Sequence, residues 1–165
     1  MKDFIIKKDK KYLLERVGDM SQLCGITRHI LADGKAWGVE AADIKTGTGF
    51  DFTVLPGRGM DIASLKYKGI PVSYMSKTGI VSASYYSDKG FDWLRTFFAG
   101  LMTTCGLSNA GGPCEDEDRL LGERHHGLHG RISNGQAENV CVYTGWEGPD
   151  YIIPNAKDLS NMLEL

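Results

Sequence analysis

The sequence lacks three features that would place it in a specialised class of protein. No apolar run approaches the roughly 18 residues that cross a bilayer, and the N-terminal residues lack the apolar segment of a secretory signal. The four cysteines are scattered and form no CxxC pair, so they predict neither a disulfide scaffold nor a zinc site. The 19 basic and 21 acidic side chains give a net charge of -2, which provides no global field for nucleic acid or an anionic membrane. We expect a cytoplasmic protein with reduced and mostly buried thiols, which binds neither nucleic acid nor a membrane.

What is present is an ordinary globular composition with an excess of glycine. Of the 165 residues, 42% are hydrophobic and 24% are charged, and a chain of this length can bury one core without disulfides or a structural metal. The 21 glycines indicate many turns and favour β-structure. We expect a single domain over residues 1–165.

Alternating patterns predict antiparallel strands joined by short turns. The predicted strands cover residues 26–31, 36–44, 50–55, 62–67, 72–75 and 137–144. The dipeptide Asp33-Gly34 is a strong hairpin signal between the first two strands. The aromatic segment from Phe91 to Phe98 fits either a short helix or a buried strand, and the acidic run from Glu115 to Asp118 is typical of a solvated loop. The prediction is a mostly β fold, a sandwich or part of one.

The segment from Glu123 to Arg131 holds three of the four histidines and two arginines within nine residues. Imidazole titrates near neutral pH, so this density indicates general acid–base chemistry, although a solvated loop with capping histidines fits the spacing equally well. A metal site is a third interpretation, since His125 and His129 would share one face of a helix. Gly127 and Gly130 argue against a helix there, and the glutamate of a HExxH motif is missing, so we expect no metal.

A second candidate segment runs from Leu55 to Ile62, where glycines flank Arg58 and Asp61 follows three residues later. The glycines are expected to let Arg58 swing into a cleft, and an arginine with an aspartate suits a polyhydroxylated ligand. The alternative is a structural salt bridge between Arg58 and Asp61. The glycine spacing does not match a phosphate-binding loop.

A third segment, from Thr103 to Leu107, precedes Asn109 in a glycine-rich loop. Its Cys105 has no fixed partner in the sequence that would lower the pKa of the thiol. We therefore expect Cys105 to be a small buried residue.

Four motifs together resemble one known family. They are Val54-Leu-Pro-Gly-Arg-Gly-Met-Asp-Ile62, the aromatic stretch from Trp93 to Gly100, Leu101-Met-Thr-Thr-Cys-Gly-Leu107 and Gly127-Leu-His-Gly-Arg-Ile-Ser-Asn134. In order and spacing they resemble the DUF4432 family of the galactose mutarotase-like superfamily, which also contains the aldose 1-epimerases. The resemblance covers the chain from about Leu13 to Val142.

The resemblance implies a β-supersandwich of antiparallel strands with few short helices, which binds a carbohydrate in a cleft on one sheet. Aldose 1-epimerases open and close the sugar ring with a histidine and a glutamate as acid and base, and the histidine of their HG motif corresponds to His129. No metal or organic cofactor is implied. The residues expected to bind the sugar are Arg58, Asp61, Asn109, His126 and Arg131.

The chain also departs from that family in length. Its members are longer, their glutamate base lies near the C-terminal end in a region this chain does not contain, and the tail after Thr144 does not resemble the expected continuation. We therefore expect an incomplete domain whose uncovered strand edges favour a homodimer. The leading hypothesis is acid–base isomerisation, or anomer interconversion, of an aldose or sugar derivative. The alternatives are a catalytically silent sugar-binding module or inactive fragment, and a metal-dependent sugar isomerase using His125, His126 and His129.

Overall fold

A computed structural model describes residues 10–147 and 151–154, and its centre is an antiparallel sheet of five strands. Each strand of this sheet pairs with its neighbour in sequence, in the order β1 to β5. The remaining strands pair as β6 with β7, β8 with β9 and β10 with β11. The strands are β1 (Gly25–Ile30), β2 (Glu40–Lys45), β3 (Phe50–Leu55), β4 (Asp61–Tyr67), β5 (Ile70–Pro71), β6 (Tyr74–Met75), β7 (Ala99–Gly100), β8 (Cys114–Asp118), β9 (Gly122–His126), β10 (Thr144–Glu147) and β11 (Tyr151–Pro154).

Helical structure in the described chain is short. One α-helix, α1 (Lys10–Leu14), precedes the sheet, and the other helical segments are single 3-10 turns at Met20–Gln22, Gly34–Ala36, Pro56–Arg58, Ala83–Tyr85, Asp92–Arg95 and Ile132–Asn134. The mostly antiparallel β architecture with few short helices is as predicted. None of the described helices has the length and apolar character needed to cross a membrane.

Both faces of the five-stranded sheet carry apolar clusters. Ala41 and Leu55 belong to one cluster with Val39, Ala63 and Phe98, whereas their sequence neighbours Ala42 and Val54 belong to a second cluster with Ile44. Because successive side chains of a strand point to opposite faces, the two clusters lie on opposite sides of the sheet. A sheet that buries apolar side chains on both faces is the middle of a layered structure, which is the expectation for part of a sandwich.

The three predicted antiparallel strands between residues 26 and 55 are confirmed as β1 to β3, and the predicted strand over 62–67 is confirmed as β4. The predicted strand over 72–75 is only partly right, because Tyr74 and Met75 form β6, which pairs with β7 rather than with β4. Of the two alternatives for the aromatic segment, the short helix is correct, since Asp92–Arg95 forms a 3-10 turn and β7 begins after the segment.

Two predictions for the C-terminal part are wrong. Residues 137–143 form no strand, because Asn139 has a positive φ of 54° and Ala137 donates its N–H to Pro56 O rather than to a ladder. The acidic run is not a loop, since it forms β8 and pairs in register with β9, Glu115 opposite His125 and Asp116 opposite Arg124. One of these cross-strand pairs is in contact, since His125 Nδ1 lies 3.2 Å from Glu115 Oε1.

Large apolar side chains are exposed near the edge of the sheet. Ile70 and Val72 are 68% and 57% exposed, and Tyr74 is 69% exposed. Exposed apolar side chains that lie close together often mark a protein–protein contact. The expected homodimer stays a prediction, which a measurement of molecular mass in solution would test.

Gly59 provides a test of the packing between the Pro56–Arg58 turn and the Ile132–Asn134 turn. A Cβ on Gly59 would lie 2.5 Å from Ile132 O, and the residue has a φ of +58°. Gly34 has a similar φ of +53° but nothing within 4 Å of its Cβ position. We expect Gly34→Ala to cost about 1 kcal/mol for the left-handed backbone alone, and Gly59→Ala to cost about 2 kcal/mol more for the clash. Equal losses of unfolding free energy, measured by urea denaturation, would contradict this packing.

Candidate functional site

Arg58 is an almost completely buried charged side chain, at 1% exposure. Its Nε donates to Ser133 O at 2.9 Å, Nη1 donates to Val81 O, and Nη1 and Nη2 both lie 3.3 Å from Thr96 O. The guanidinium carbon is 5.3 Å from the ring centroid of Phe98. The expectation that Arg58 swings into a cleft is therefore wrong, because all three nitrogen atoms are committed to backbone carbonyls. Direct contact between Arg58 and a ligand stays an untested prediction.

Asp61 is fully buried at the start of β4. Its Oδ1 accepts a hydrogen bond from Thr104 N at 2.6 Å, whereas Oδ2 has no hydrogen-bond partner among the described residues. Burial raises the pKa of the Asp61 carboxyl to about 6, against the opposing effects of the Thr104 hydrogen bonds and the charge of Arg58. The structural salt bridge between Arg58 and Asp61 is not formed, since the described ion pairs do not join them and Arg58 donates to carbonyls instead. A contact between Asp61 and a sugar also stays a prediction.

His129 has its ring held in a defined orientation. Its Nδ1 accepts a hydrogen bond from Gly111 N at 3.1 Å, and its ring packs edge-on against Trp93 with centroids 4.9 Å apart. Trp93 is fixed in turn, because its Nε1 donates to Ser133 Oγ at 2.9 Å. A backbone N–H can only donate, so Nδ1 of the neutral imidazole must be the unprotonated nitrogen and Nε2 carries the proton. The ring thus offers one N–H donor.

The backbone around His129 is also tightly held. His129 has a φ of +58°, its N–H donates to Gly111 O at 3.0 Å, and its carbonyl accepts from Gly106 N at 2.9 Å. Gly130 follows with a φ of +71°, and a Cβ there would lie 2.6 Å from Gly106 O. This close approach is the reason for glycine in the predicted HG motif.

A polar cavity of about 270 Å³ lies beside this loop. Three of the predicted sugar-binding residues line it, Asn109, His126 and Arg131, and His129 adjoins it through Gly130. Arg58 and Asp61 are not part of the lining. The full lining is Asp88, Ser108, Asn109, Arg124, His125, His126, Gly127, Gly130 and Arg131.

The floor of the cavity is backbone rather than mobile side chains. Asn109 Nδ2 donates to Gly127 O at 2.8 Å, and Tyr86 Oη donates to Gly130 O at 3.2 Å. The pKa of the Tyr86 hydroxyl is raised, because burial and the charge of Asp88 together outweigh the opposing effect of the charge of Arg131. Asn109 therefore shapes the cavity through its amide, and its contact with a ligand stays a prediction.

Asp88 and Arg124 are charged lining residues that were not among the predicted ligand contacts. Arg124 lies within the histidine-rich segment, so its position in the sequence was a usable signal once β9 is recognised as a strand. Asp88 lies in a stretch with no periodic pattern, about forty residues before the histidines in sequence, and only tertiary packing brings it to the cavity. No local signal identifies it.

The three histidines of the metal hypothesis are not brought together in the described chain. His125 and His126 are successive residues of β9 and point to opposite faces. The described group that could hold a metal ion is instead Glu115, Glu123 and His125, with ligand atoms within 4.8 Å of one another and all three residues exposed. Exposed charged groups of this kind are common on a solvated hairpin.

The described cysteines depart from the prediction of mostly buried thiols. Cys24 is buried, whereas Cys105, Cys114 and Cys141 are exposed, and all four are free. Cys105 borders a separate, apolar cavity of about 180 Å³ together with Thr104, Leu107 and Glu138. The expectation of a buried Cys105 is wrong, because the glycine-rich loop that carries it runs along the surface.

Comparison with known protein families decides the relationship of the chain. The model of the DUF4432 family, described as a domain of unknown function, matches residues 36–157. The chain belongs to the DUF4432 family. The match begins later than the expected Leu13 and extends beyond Val142. The expectation that the tail after Thr144 departs from the family is therefore wrong as far as residue 157.

A solved structure is similar to this DUF4432 member. It is the crystal structure of a "putative aldose 1-epimerase" from Klebsiella pneumoniae subsp. pneumoniae MGH 78578, with a TM-score of 0.63 and 24% sequence identity over 88% of this chain. The match covers 36% of the Klebsiella chain, so the present chain spans little more than a third of that length. A search of curated proteins found no match. The predicted galactose mutarotase-like, mostly β fold is confirmed, whereas the single incomplete domain stays a prediction.

Replacing Arg58 tests its structural role. We expect Arg58→Lys to lower the free energy of unfolding by about 3–5 kcal/mol, because lysine cannot reach three carbonyls with a planar fork and leaves a buried charge partly unpaired. Arg95→Lys is the matched control, since Arg95 is 78% exposed and pairs only with Asp92. That change should cost less than about 0.5 kcal/mol. Similar urea midpoints for the two variants would contradict the buried network.

The pH dependence of stability tests the Asp61 environment. The folded-state pKa of about 6 exceeds the ordinary value of 3.8, so the folded protein holds this proton more strongly than the unfolded chain. The stabilisation is complete at low pH and is lost as the pH rises through about 6, a change of up to about 3 kcal/mol. Asp61→Asn should therefore be most destabilising near about pH 4 and much less so near about pH 7. The exposed Asp51→Asn is the control, and an Asp61→Asn effect independent of pH would contradict the assignment.

Proposed function

We propose that this chain binds an aldose or sugar derivative in the polar cavity beside His129 and interconverts its anomers by general acid–base chemistry. The observation that carries the proposal is the fixed orientation of His129, whose Nδ1 accepts from Gly111 N at 3.1 Å beside a cavity lined by His126 and Arg131. Fold similarity supports a sugar as the ligand class, since the similar Klebsiella structure is described as a "putative aldose 1-epimerase". Function itself rests on the site rather than on the fold.

The proposed reaction needs two proton transfers. A base removes the proton of the anomeric hydroxyl as the bond between the ring oxygen and the anomeric carbon breaks, and water supplies the proton that the ring oxygen takes up. The neutral His129 ring donates a hydrogen bond from Nε2 to the ring oxygen and so stabilises the negative charge that develops there. The open-chain aldehyde rotates about the bond next to the carbonyl, and the reverse transfers close the ring on its other face. Asp88 is the carboxylate of the cavity lining that can accept the hydroxyl proton. The reaction requires no metal or organic cofactor.

His126 and Arg131 are assigned to binding. Both line the cavity, and both present hydrogen-bond donors that suit sugar hydroxyls. The roles predicted for Arg58 and Asp61 are better described as support, because Arg58 holds Ser133, which in turn holds Trp93 against the His129 ring.

A catalytically silent sugar-binding module is the second candidate. The observation that favours it is the hydrogen bonding of His129, whose ring contacts no carboxylate among the residues the structure describes. Such a protein would bind sugars without changing the rate at which their anomers exchange.

Exchange of anomers, followed by NMR for D-glucose and D-galactose, separates the two candidates. We expect the wild-type chain to accelerate exchange and His129→Asn to lose at least about a hundredfold of that acceleration, the usual contribution of a hydrogen-bond donor placed at a developing negative charge. Asparagine is chosen because it tolerates the positive φ at this position and can still accept from Gly111 N. His29→Asn is the control, since His29 lies in β1 beside Asp43 and away from the cavity. Full activity in His129→Asn would exclude the proposed mechanism, and binding without acceleration by the wild type would identify the silent module.

A further inference from the structure

Two arginines of the cavity lining have no side-chain partner. Arg124 and Arg131 both border the cavity, and neither guanidinium makes a hydrogen bond or ion pair with another described residue. Elsewhere in the described chain, Arg28 pairs with Glu40 and Arg95 pairs with Asp92. The free guanidinium groups of the cavity therefore contrast with arginines that are satisfied by neighbouring carboxylates.

The nearest acidic candidates do not neutralise them. Asp116 lies directly opposite Arg124 in the β8–β9 hairpin, but its Oδ1 accepts from Glu117 N at 2.8 Å and it forms no ion pair with Arg124. Asp88 is the single acidic residue of the lining, so the two guanidinium groups leave an excess of positive charge.

The two groups come from elements that hold them in place. Arg124 is paired within β9, and Arg131 follows Gly130, whose carbonyl accepts from Tyr86 Oη and whose Cα is packed against Gly106 O. A guanidinium presents its donors in a planar fork that matches the two oxygens of a carboxylate or phosphate. Two such forks beside one polar cavity form a recognition site for an oxyanion.

We propose that the cavity selects a sugar that carries an anionic substituent, a carboxylate or a phosphate, bound by Arg124 and Arg131. The inference rests on the proposed function in using the same cavity, and it adds the class of ligand. Neutral hydroxyls would leave the positive charge of the lining uncompensated, whereas an anionic group pairs with it.

Direct binding measurements by calorimetry test the proposal on the full chain. D-glucose, D-glucuronate and glucose 6-phosphate share one ring and differ in the substituent at one carbon, and inorganic phosphate supplies the anion without the sugar. We expect at least one of the two charged sugars to bind about tenfold or more tightly than glucose, since hydrogen bonds to charged groups exceed neutral ones by this order. That preference should weaken as salt is added. Which charged sugar binds better identifies the substituent as carboxylate or phosphate.

Variants assign the preference to the two arginines. The double variant Arg124→Gln with Arg131→Gln should bind the charged sugars no more tightly than glucose, whereas Arg95→Gln, exposed and outside the cavity, should retain the preference. Equal affinity for glucose and both charged sugars, a preference that survives in the double variant, or phosphate binding as tight as glucose 6-phosphate would each overturn the proposal. Failure of all three sugars to bind would also overturn it.

The outcome is separable from that of the proposed function. Accelerated anomer exchange of glucose without a preference for charged sugars would retain the reaction and reject this ligand class. A preference for charged sugars without accelerated exchange would retain the ligand class and reject the reaction.

Discussion

The buried guanidinium of Arg58 is the interaction on which the rest of this structure depends. It joins three segments that are far apart in sequence, by donating to the carbonyls of Val81, Thr96 and Ser133. A fully desolvated charge is tolerated only where its donors are satisfied, so these three segments must converge on the Pro56–Arg58 turn in the folded state. The guanidinium thereby fixes the relative positions of these segments, in a region of the chain with little regular secondary structure.

The hydrogen bonds of Arg58 also position the residues of the candidate site. The backbone carbonyl of Ser133 accepts a hydrogen bond from Arg58 Nε, and the hydroxyl of Ser133 accepts one from Trp93 Nε1. Trp93 contacts the edge of the His129 ring, while Gly111 holds the Nδ1 of that ring. His129 is therefore positioned by a series of backbone and buried side-chain contacts rather than by one hydrogen bond. Such support holds a reactive group on an irregular loop in a single orientation.

Charge is distributed unevenly around this site. The charged hairpin of β8 and β9 presents Glu115, Glu123 and His125 together on one face, whereas Arg124 and Arg131 border the polar cavity. Alternation along β9 is the cause, because successive residues of a strand reach opposite faces. Glu123 and His125 therefore lie on one face of the strand and Arg124 lies on the other.

Sequence by itself determined the family and the antiparallel strands of the central sheet, because alternation, turn dipeptides and short motifs are local properties of the chain. The four motifs around Arg58, Trp93, Cys105 and His129 all lie within residues 36–157, which match the DUF4432 family model. Tertiary structure alone decided that Arg58 is a buried support, that Asp61 does not pair with it, and that Asp88 joins Arg124 and Arg131 at one cavity. Burial and long-range convergence depend on how segments pack against one another, and no local pattern in the chain encodes which carbonyl or carboxylate a given arginine will meet.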